Sequence, residues 1–330
     1  MQKLIVKILF VFVGVVLCLT LNVKEANSWG FWAHKRINRL AVFTLPPEMI
    51  GFYKEHIEYI TDHAVDPDKR RYALEGEDKR HYIDIDHYDV YPFKEMPHVW
   101  EEAVAKYSED TLLEYGILPW NLEVQLKKLT RAFERKDVRQ ILKYSADIGH
   151  YIGDGHVPLH TTLNYNGQLT GQRGIHGFWE SRCPELFAED YDFFVGKAEY
   201  LKKPSKKIWQ FVLESASHVK RVFALEKELT ERFPDDKKYT FDERGASTMR
   251  TYSVEFSRAF EQELDGMIEG RMRTAILNIG SFWFTAWVNA GQPDLNSMGT
   301  LELTEEELAK QKLIDQKFNN GKIKGRNHSN

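Results

Sequence analysis

The chain has 330 residues, of which 42% are hydrophobic and 28% are charged, and its formal net charge is −4. This length is ample for one large domain or two modest ones. The slightly acidic balance provides no global basic field, so composition alone does not indicate a protein that holds nucleic acid by charge.

The N-terminus has the three parts of a secretory signal peptide. Lys3 and Lys7 supply positive charge, residues 8–21 form an apolar run, and Ala26-Asn27-Ser28 is a small-x-small cleavage site. The apolar run is shorter than the ~20 residues that a membrane-spanning helix needs. We therefore expect export to a periplasm or the cell exterior, Trp29 as the first mature residue, and no transmembrane anchor after processing.

Helical periodicity dominates the rest of the chain. Apolar residues recur at intervals of three and four, and strict alternation over six or more residues is not convincing anywhere. The pattern predicts an all-α bundle. In chain order, the predicted helices span residues 33–45, 47–61, 99–115, 122–135, 138–153, 206–233, 253–278, 279–289 and 304–318.

Three long connections separate these helices. They span residues 62–98, 161–175 and 234–249, and long connections in a domain are more often functional than idle. Towards the end the chain becomes polar and finishes in a basic stretch, 322–330, which we expect to be disordered. The expected organisation is a signal peptide (1–28), one domain (29–300) and a polar, partly disordered tail (301–330).

One segment concentrates side chains that bind divalent metals. His150 and Asp154 lie four residues apart, so they project from one face of the predicted helix. His160 follows shortly after, and His176 and Glu180 repeat the four-residue spacing beyond the next loop. Imidazole and carboxylate ligands without cysteine suit zinc at a catalytic site.

A simpler interpretation exists for each pair. A single His-xxx-Asp or His-xxx-Glu pair is common on a solvated helix face. Here two such pairs, with a further histidine between them, lie in a segment whose other residues are largely apolar or glycine. Buried charged groups need partners, and a metal supplies one, so the combination favours a metal site.

Further candidate ligands lie closer to the N-terminus. His34 follows Trp29, whose newly exposed α-amine is itself a candidate ligand. The 62–98 loop supplies more imidazoles and carboxylates than one site needs, and the residues alone do not distinguish among them: His63, Asp66, Asp68, His81, Asp84, Asp86 and His87.

In their order and spacing, these motifs resemble the three-zinc phosphoesterase superfamily, which includes bacterial zinc-dependent phospholipase C and the fungal single-strand-specific nucleases. The resemblance rests on a mature N-terminal Trp-Gly followed by His, a loop Asp, His81-Tyr82-Ile83, His-xxx-Asp-xxxxx-His and His-xxx-Glu. It spans about half of the mature chain and ends at Glu180. It implies a single multi-helix bundle and a hydrolase that cleaves phosphodiester bonds.

The resemblance also implies three zinc ions and a role for each ligand. It selects Asp66 from the loop, in competition with Asp62 and Asp68, to bind metal and hold the attacking water as a base; Asp66 and Asp154 are then the catalytic carboxylates. It leaves out His63, His87, His98 and His156, while Asp84 or Asp86 is expected to orient a ligand. The implied sets are the amine and carbonyl of Trp29 with His34; Asp66, His81 and His150, with Asp154 bridging the two; and His160, His176 and Glu180.

The substrate is a separate question. A His-xxx-Glu ending resembles the phospholipase branch, and the acidic balance and lack of a cysteine pair in the mature chain agree with it. Aromatic side chains near the motifs could instead stack on nucleic-acid bases: Trp29, Phe31, Trp32, Phe178 and Trp179. We expect a phospholipase C-like enzyme acting on a phospholipid head group, with transient membrane-surface contact. A single-strand endonuclease is the alternative, and a non-catalytic zinc-binding protein the third hypothesis.

Overall fold

Helices account for most of the chain in the computed structural model, which describes residues 30–244, 247–299, 301 and 303–321. A two-stranded sheet is the one sheet within these residues. The all-α class is therefore confirmed. The expected signal peptide, Trp29 and the basic end 322–330 lie outside the described residues.

The helices follow the predicted order. The first groups are α1 (Phe31–Ala41), α2 (Pro47–Glu55), α3 (Ile57–Asp62), α4 (Asp66–Arg70), α5 (Ile85–Tyr88), α6 (Trp100–Tyr107), α7 (Glu109–Tyr115), α8 (Leu118–Glu134) and α9 (Val138–Gly155). A segmented helical stretch follows, made of Ile175–Gly177, Phe178–Arg182 and Cys183–Phe187. The remaining elements are α10 (Pro204–Arg232), β1 (Tyr239–Arg244), β2 (Ser247–Tyr252), α11 (Val254–Leu264), α12 (Met267–Asn289) and α13 (Glu305–Asn319).

Helix α9 lies at the centre of the bundle, packed against α1, α8 and α12. Every residue from Ser145 to Gly155 is buried, so this half of the helix has no solvated face. A helix that is buried all round normally carries apolar side chains only. This one carries His150 and Asp154, which must find partners inside the protein.

Two glycines let α1 approach α9 closely. A Cβ on Gly149 would lie 2.1 Å from Oδ1 of Asn38, and a Cβ on Gly153 would lie 3.0 Å from Nδ1 of His34. The side-chain amide of Asn38 donates to the carbonyl of Ala146 at 3.1 Å and fixes the contact. The close approach brings His34 beside the polar face of α9.

The opposite side of α9 is closed by aromatic packing. The Trp283 ring of α12 stacks on Tyr53 with centroids 4.8 Å apart, and its indole N–H donates to the carbonyl of Ser145 at 3.0 Å. The Tyr53 hydroxyl also contacts the Ser145 hydroxyl at 2.8 Å. Both rings are fully buried, so α9 is held rigidly from the side away from its polar residues.

Several predicted boundaries differ from the structure: the predicted helix 47–61 divides at His56 into α2 and α3, and the predicted loop 62–98 contains α4 and α5. Residues 234–249 were expected to be a loop, but β1 and β2 form an antiparallel hairpin in which Tyr239 pairs with Tyr252. The predicted helix 99–115 divides at Ser108, whose φ is 72° and whose Oγ caps α7. The predicted helix 253–278 divides at Asp265 and Gly266, both left-handed, and its second part continues through 279–289 as α12.

The physical reasons are local. The left-handed conformation ends a helix, and Asp-Gly is a sequence that adopts it readily. The hairpin lacks an alternating apolar face because only one end is anchored: Tyr252 stacks on Phe178 with centroids 3.8 Å apart, whereas Phe241 is 69% exposed.

Helix α13, predicted at 304–318, packs against the domain. Its Asp315 forms an ion pair with Lys69 at 3.2 Å, and its Glu307 forms one with Arg139 at 2.8 Å. The ring of Phe318 stacks on that of Phe31. This part of the polar tail therefore lies beside α1 and α4. No helix among the described residues combines the length and apolarity required to cross a bilayer.

Candidate metal centre

The carboxylate of Asp154 is the meeting point of four imidazole groups. Nε2 of His34 and Nε2 of His160 lie 3.4 and 3.9 Å from Oδ1. Nδ1 of His81 and Nε2 of His150 lie 3.0 and 3.3 Å from Oδ2. Each carboxylate oxygen thus faces two nitrogen atoms, an arrangement that would suit a carboxylate shared between two metal ions.

Glu180 is the centre of a neighbouring group. Its Oε2 lies 2.6 Å from Nε2 of His176 and 3.4 Å from Nε2 of His160, and its Oε1 lies 3.5 Å from Nε2 of His34. His34 therefore stands between the two carboxylates. A wider, π-type turn at Phe178–Arg182 carries Glu180, and such turns are frequent at functional sites.

The loop carboxylate that lies with the cluster is Asp68, and the structure places the predicted Asp66 elsewhere. Oδ1 of Asp68 lies 3.8 Å from both Nδ1 of His81 and Nε2 of His150. Oδ2 of Asp66 instead lies 2.6 Å from Nδ1 of His63, outside the cluster. Both aspartates belong to α4, and residues two apart on a helix point in nearly opposite directions, so only one can face the site.

Backbone carbonyls orient three of the imidazoles. A carbonyl oxygen only accepts hydrogen bonds, so Nδ1 carries the hydrogen in each case and the lone pair of Nε2 faces the carboxylates. Metal-binding histidines are oriented by such contacts. Nδ1 of His150 donates to the backbone oxygen of Ala64 at 2.8 Å. Nδ1 of His160 donates to the backbone oxygen of His81 at 2.6 Å, and Nδ1 of His176 donates to that of Tyr165 at 3.2 Å.

The electrostatics of the cluster favour positive charge. Burial opposes ionisation, but the surrounding imidazoles hold the pKa of Asp154 and of Glu180 well below their usual ranges. Burial also opposes a charge on His34, yet Asp154 and Glu180 raise the pKa of His34 to about 10. The cluster therefore attracts a cation strongly, whether a proton or a metal ion.

Several distances within the cluster suit two ligands of one metal ion, whereas the contacts of His81 with Asp154 at 3.0 Å and of His176 with Glu180 at 2.6 Å are of hydrogen-bond length. Several nitrogen–oxygen separations are 3.3 to 3.5 Å, longer than the ~2.9 Å typical of N–H···O bonds. Two ligands on one tetrahedral zinc, each ~2.0–2.1 Å from it, lie roughly 3.4 Å apart. In addition, Nδ1 of His34 and Nε2 of His81 are buried without a hydrogen-bond partner among the described residues.

Three groups of ligand atoms, each within 4.8 Å, could hold a metal ion: His34, His150 and Asp154; Asp68, His81 and His150; and His160, His176 and Glu180. The structure thus brings together seven of the nine predicted ligands. Trp29 lies outside the described residues, and Asp66 is replaced by Asp68.

The remaining histidines lie elsewhere. His87 stacks on Tyr115, and His98 stacks on Trp209. His156 is buried, where its Nδ1 donates to the carbonyl of Ile152 at 2.7 Å. These contacts agree with their omission from the predicted ligands.

The neighbouring carboxylates have other partners. Asp62 pairs with Lys35 at 3.0 Å. Asp86 accepts hydrogen bonds from the Thr162 hydroxyl and the Leu163 amide, so it fixes the loop that follows His160.

Sequence reasoning missed a buried ion network beside the cluster. Arg70 reaches Glu77 at 3.1 Å and Asp147 at 3.0 Å, and the Tyr151 hydroxyl donates to Glu77 at 2.5 Å. The Tyr151 ring meets His81 edge to face at 5.2 Å. The only signal was a charged residue, Asp147, on a helix turn that is otherwise apolar, and nothing in the sequence identified its partner.

The function is inferred from the geometry of the cluster alone. No protein-family model matches the chain, and no curated protein matches it.

Proposed function

We propose that this protein is an exported zinc-dependent hydrolase of phosphodiester bonds, a three-zinc phosphoesterase most like phospholipase C. The observation that carries the proposal is the position of Asp154, with two imidazole nitrogens facing each of its carboxylate oxygens. A structural zinc site is closed by four ligands around one ion, whereas this arrangement provides a shared carboxylate.

Zinc held by these groups would polarise a phosphate ester and make water a nucleophile near neutral pH. The protein supplies the positions. Imidazoles oriented by backbone carbonyls hold their Nε2 atoms in place, and the rigid α9 holds His150 and Asp154 relative to each other. No serine or cysteine nucleophile is required.

Asp68 is the carboxylate suited to hold the attacking water. Its side chain is 21% exposed, compared with 1% for Asp154 and 11% for Glu180. Burial opposes its ionisation, but His150 and His81 lower the pKa of Asp68, so it is ionised and accepts hydrogen bonds. It takes the role that the resemblance assigned to Asp66.

The exposure of the aromatic side chains favours a lipid over a nucleic acid. Phe31, Phe178 and Trp179 are 6%, 2% and 3% exposed, so their faces are unavailable for stacking on bases; Trp32 is half-buried, and Trp29 lies outside the described residues. Leu169, in the loop that precedes His176, is 71% exposed and offers an apolar contact to a lipid surface. We therefore propose a phospholipid as substrate.

A paired assay tests both levels of the proposal. Zinc-replete protein beginning at Trp29 is incubated with phosphatidylcholine vesicles in one arm and with single-stranded DNA in the other. We expect chelator-sensitive release of a phosphorylated head group and no cleavage of DNA. Cleavage of DNA alone would overturn the choice of substrate but retain the reaction class.

A generic phosphodiester, such as a bis-nitrophenyl phosphate, tests the reaction class independently of the substrate. Turnover that is lost with chelator and restored by zinc is the expected result. One bound zinc per chain with no turnover would instead indicate a non-catalytic zinc-binding protein.

A further inference from the structure

A recess separate from the metal centre lies on the surface between the start of α6, the exposed side of α8 and the start of α10. It encloses about 450 Å³, within the range of small-molecule sites. Its lining includes Arg80, Trp100, Asn121, Lys127 and Lys128 and contains none of the candidate metal ligands. We call it the α8 groove.

A buried amide in the α8 groove lacks a partner. Asn121 is 5% exposed, and its Oδ1 accepts a hydrogen bond from the Gln125 side chain at 3.1 Å. Its Nδ2 has no hydrogen-bond partner within the described part of the chain. An unsatisfied buried donor destabilises the protein, so a ligand that accepts a hydrogen bond from it would recover that energy.

Positive charge is concentrated at the same place. Lys127 is exposed and Lys128 is half-buried, and Arg80, whose side chain is 39% exposed, pairs at 2.6 Å with Glu77, a carboxylate that Arg70 also contacts. Burial lowers the pKa of Lys128, the nearby charges of Arg80 and Lys143 lower it further, and Asp147 and Glu77 act in the opposite direction. The cations therefore repel one another, and an anion among them would relieve the repulsion.

The acidic groups of the groove offset this charge only in part. Glu123 accepts a hydrogen bond from the Ser205 hydroxyl at 2.6 Å, which draws its carboxylate towards the start of α10. Glu101 is exposed at the rim. The lining thus contains three cations and two carboxylates, and Arg80 is in addition paired with Glu77, which it shares with Arg70.

The remaining wall is aromatic and rigid. Trp120 is 5% exposed, and its indole N–H donates to the carbonyl of His98 at 3.0 Å. Trp100 packs against Trp120 edge to face with centroids 5.4 Å apart and is only half-buried. A fixed indole with an accessible side is a surface on which a flat ring can stack.

We propose that the α8 groove binds a phosphorylated heterocycle, such as a nucleoside monophosphate. The ring stacks on Trp100 and accepts a hydrogen bond from Asn121, and the phosphate is held by Lys127, Lys128 and Arg80. The site is separate from the metal centre and does not depend on the proposed hydrolase activity.

Photo-crosslinking locates such a ligand directly. The metal-loaded full chain is irradiated with 8-azidoadenosine monophosphate, and the labelled peptides are identified by mass spectrometry. We expect label within residues 98–128. Adenosine monophosphate should compete for it at a concentration at which inorganic phosphate alone and adenosine alone do not.

Matched variants separate the groove from general charge. Trp100→Ala should weaken binding on the order of tenfold, since stacking of a base on an aromatic ring is worth ~1–3 kcal/mol. Lys127→Gln should weaken it severalfold, whereas Lys220→Gln, an exposed helical lysine of α10, should leave it unchanged. Label outside residues 98–128, equal competition by inorganic phosphate, or equal effects of the two lysine variants would overturn the proposal.

Discussion

Two buried charged clusters lie side by side and differ in how fully their carboxylates are paired with cations. In the network of Arg70, Glu77 and Asp147, every carboxylate is matched by a cation: Arg70 pairs with both acids, Lys143 pairs with Asp147 and Arg80 pairs with Glu77. In the metal cluster Arg71 pairs with Asp68 at 3.4 Å, but the ion pairs of Asp154 and Glu180 are with imidazoles, and two imidazole nitrogens lack hydrogen-bond partners within the described residues.

The difference distinguishes a structural cluster from a binding one. A network that contains both signs of charge stabilises itself and needs nothing from solution. A cluster in which two buried acids are compensated only by imidazoles attracts further positive charge, which protons or a divalent ion would supply. Removing a metal should therefore change the second cluster and leave the first intact.

The largest expected effect comes from His150, which belongs to two of the candidate ligand groups. His150→Ala should reduce kcat/KM for a phosphodiester by at least about a hundredfold, because even residues that only orient metal ligands are worth ~10–100-fold. Zinc content and melting temperature should fall together. His87→Gln, on a ring that stacks outside the cluster, is the control. Full activity with undiminished zinc would contradict the assignment.

The next largest effect distinguishes Asp68 from Asp66 as the loop ligand. Asp68→Asn should reduce activity by roughly 10–100-fold, since it removes a charge at the two imidazoles it faces. Asp66→Asn changes a group that pairs with His63 and should retain most of the activity. Steady-state rates of both variants at saturating zinc show which aspartate is the ligand. A larger loss of activity in Asp66→Asn than in Asp68→Asn would indicate Asp66.

Breaking the ion network should cost stability without costing metal. Arg70→Met leaves Glu77 and Asp147 with fewer partners and should destabilise the protein by about 3 kcal/mol, the lower part of the range for a buried pair that loses one member. Arg39→Met, at an exposed ion pair with Glu58, should cost less than about 1 kcal/mol. Zinc content measured below the melting temperature should be unchanged in both. Loss of zinc in Arg70→Met would mean that the clusters are not independent.

The smallest effect is the pH dependence of the network. Burial opposes ionisation, but Arg70 lowers the pKa of both Asp147 and Glu77 below their ordinary values. Their contribution is therefore complete above about pH 5 and is lost as the pH falls through the lower, folded-state values. The stability difference between wild type and Arg70→Met, measured by urea unfolding, should shrink below about pH 4. A difference that stays constant from pH 7 to pH 3 would contradict this account.

Much of the fold was predictable because helical periodicity is a local signal. Helices α8, α9 and α10 begin and end close to the predicted residues, since each has a continuous apolar face and a recognisable end. The hairpin was not predictable, because its strands lack the alternation that burial of one whole face would impose.

The candidate site was likewise predictable only in part. His150 and Asp154 were predictable from a four-residue spacing on one helix, and the separation of Asp68 from Asp66 was not, because it depends on the direction in which a short helix enters the cluster. The pairing of Arg70 with Asp147 joins residues 77 positions apart and has no local signature.

The most direct test of the central claim is the metal content of the purified mature protein, determined by native mass spectrometry together with elemental analysis. We predict three zinc ions per chain, and at most one in an Asp154→Ala variant, because the two oxygens of that carboxylate face imidazoles of the first two ligand groups. One zinc or none in the wild-type protein, or three in the variant, would contradict it.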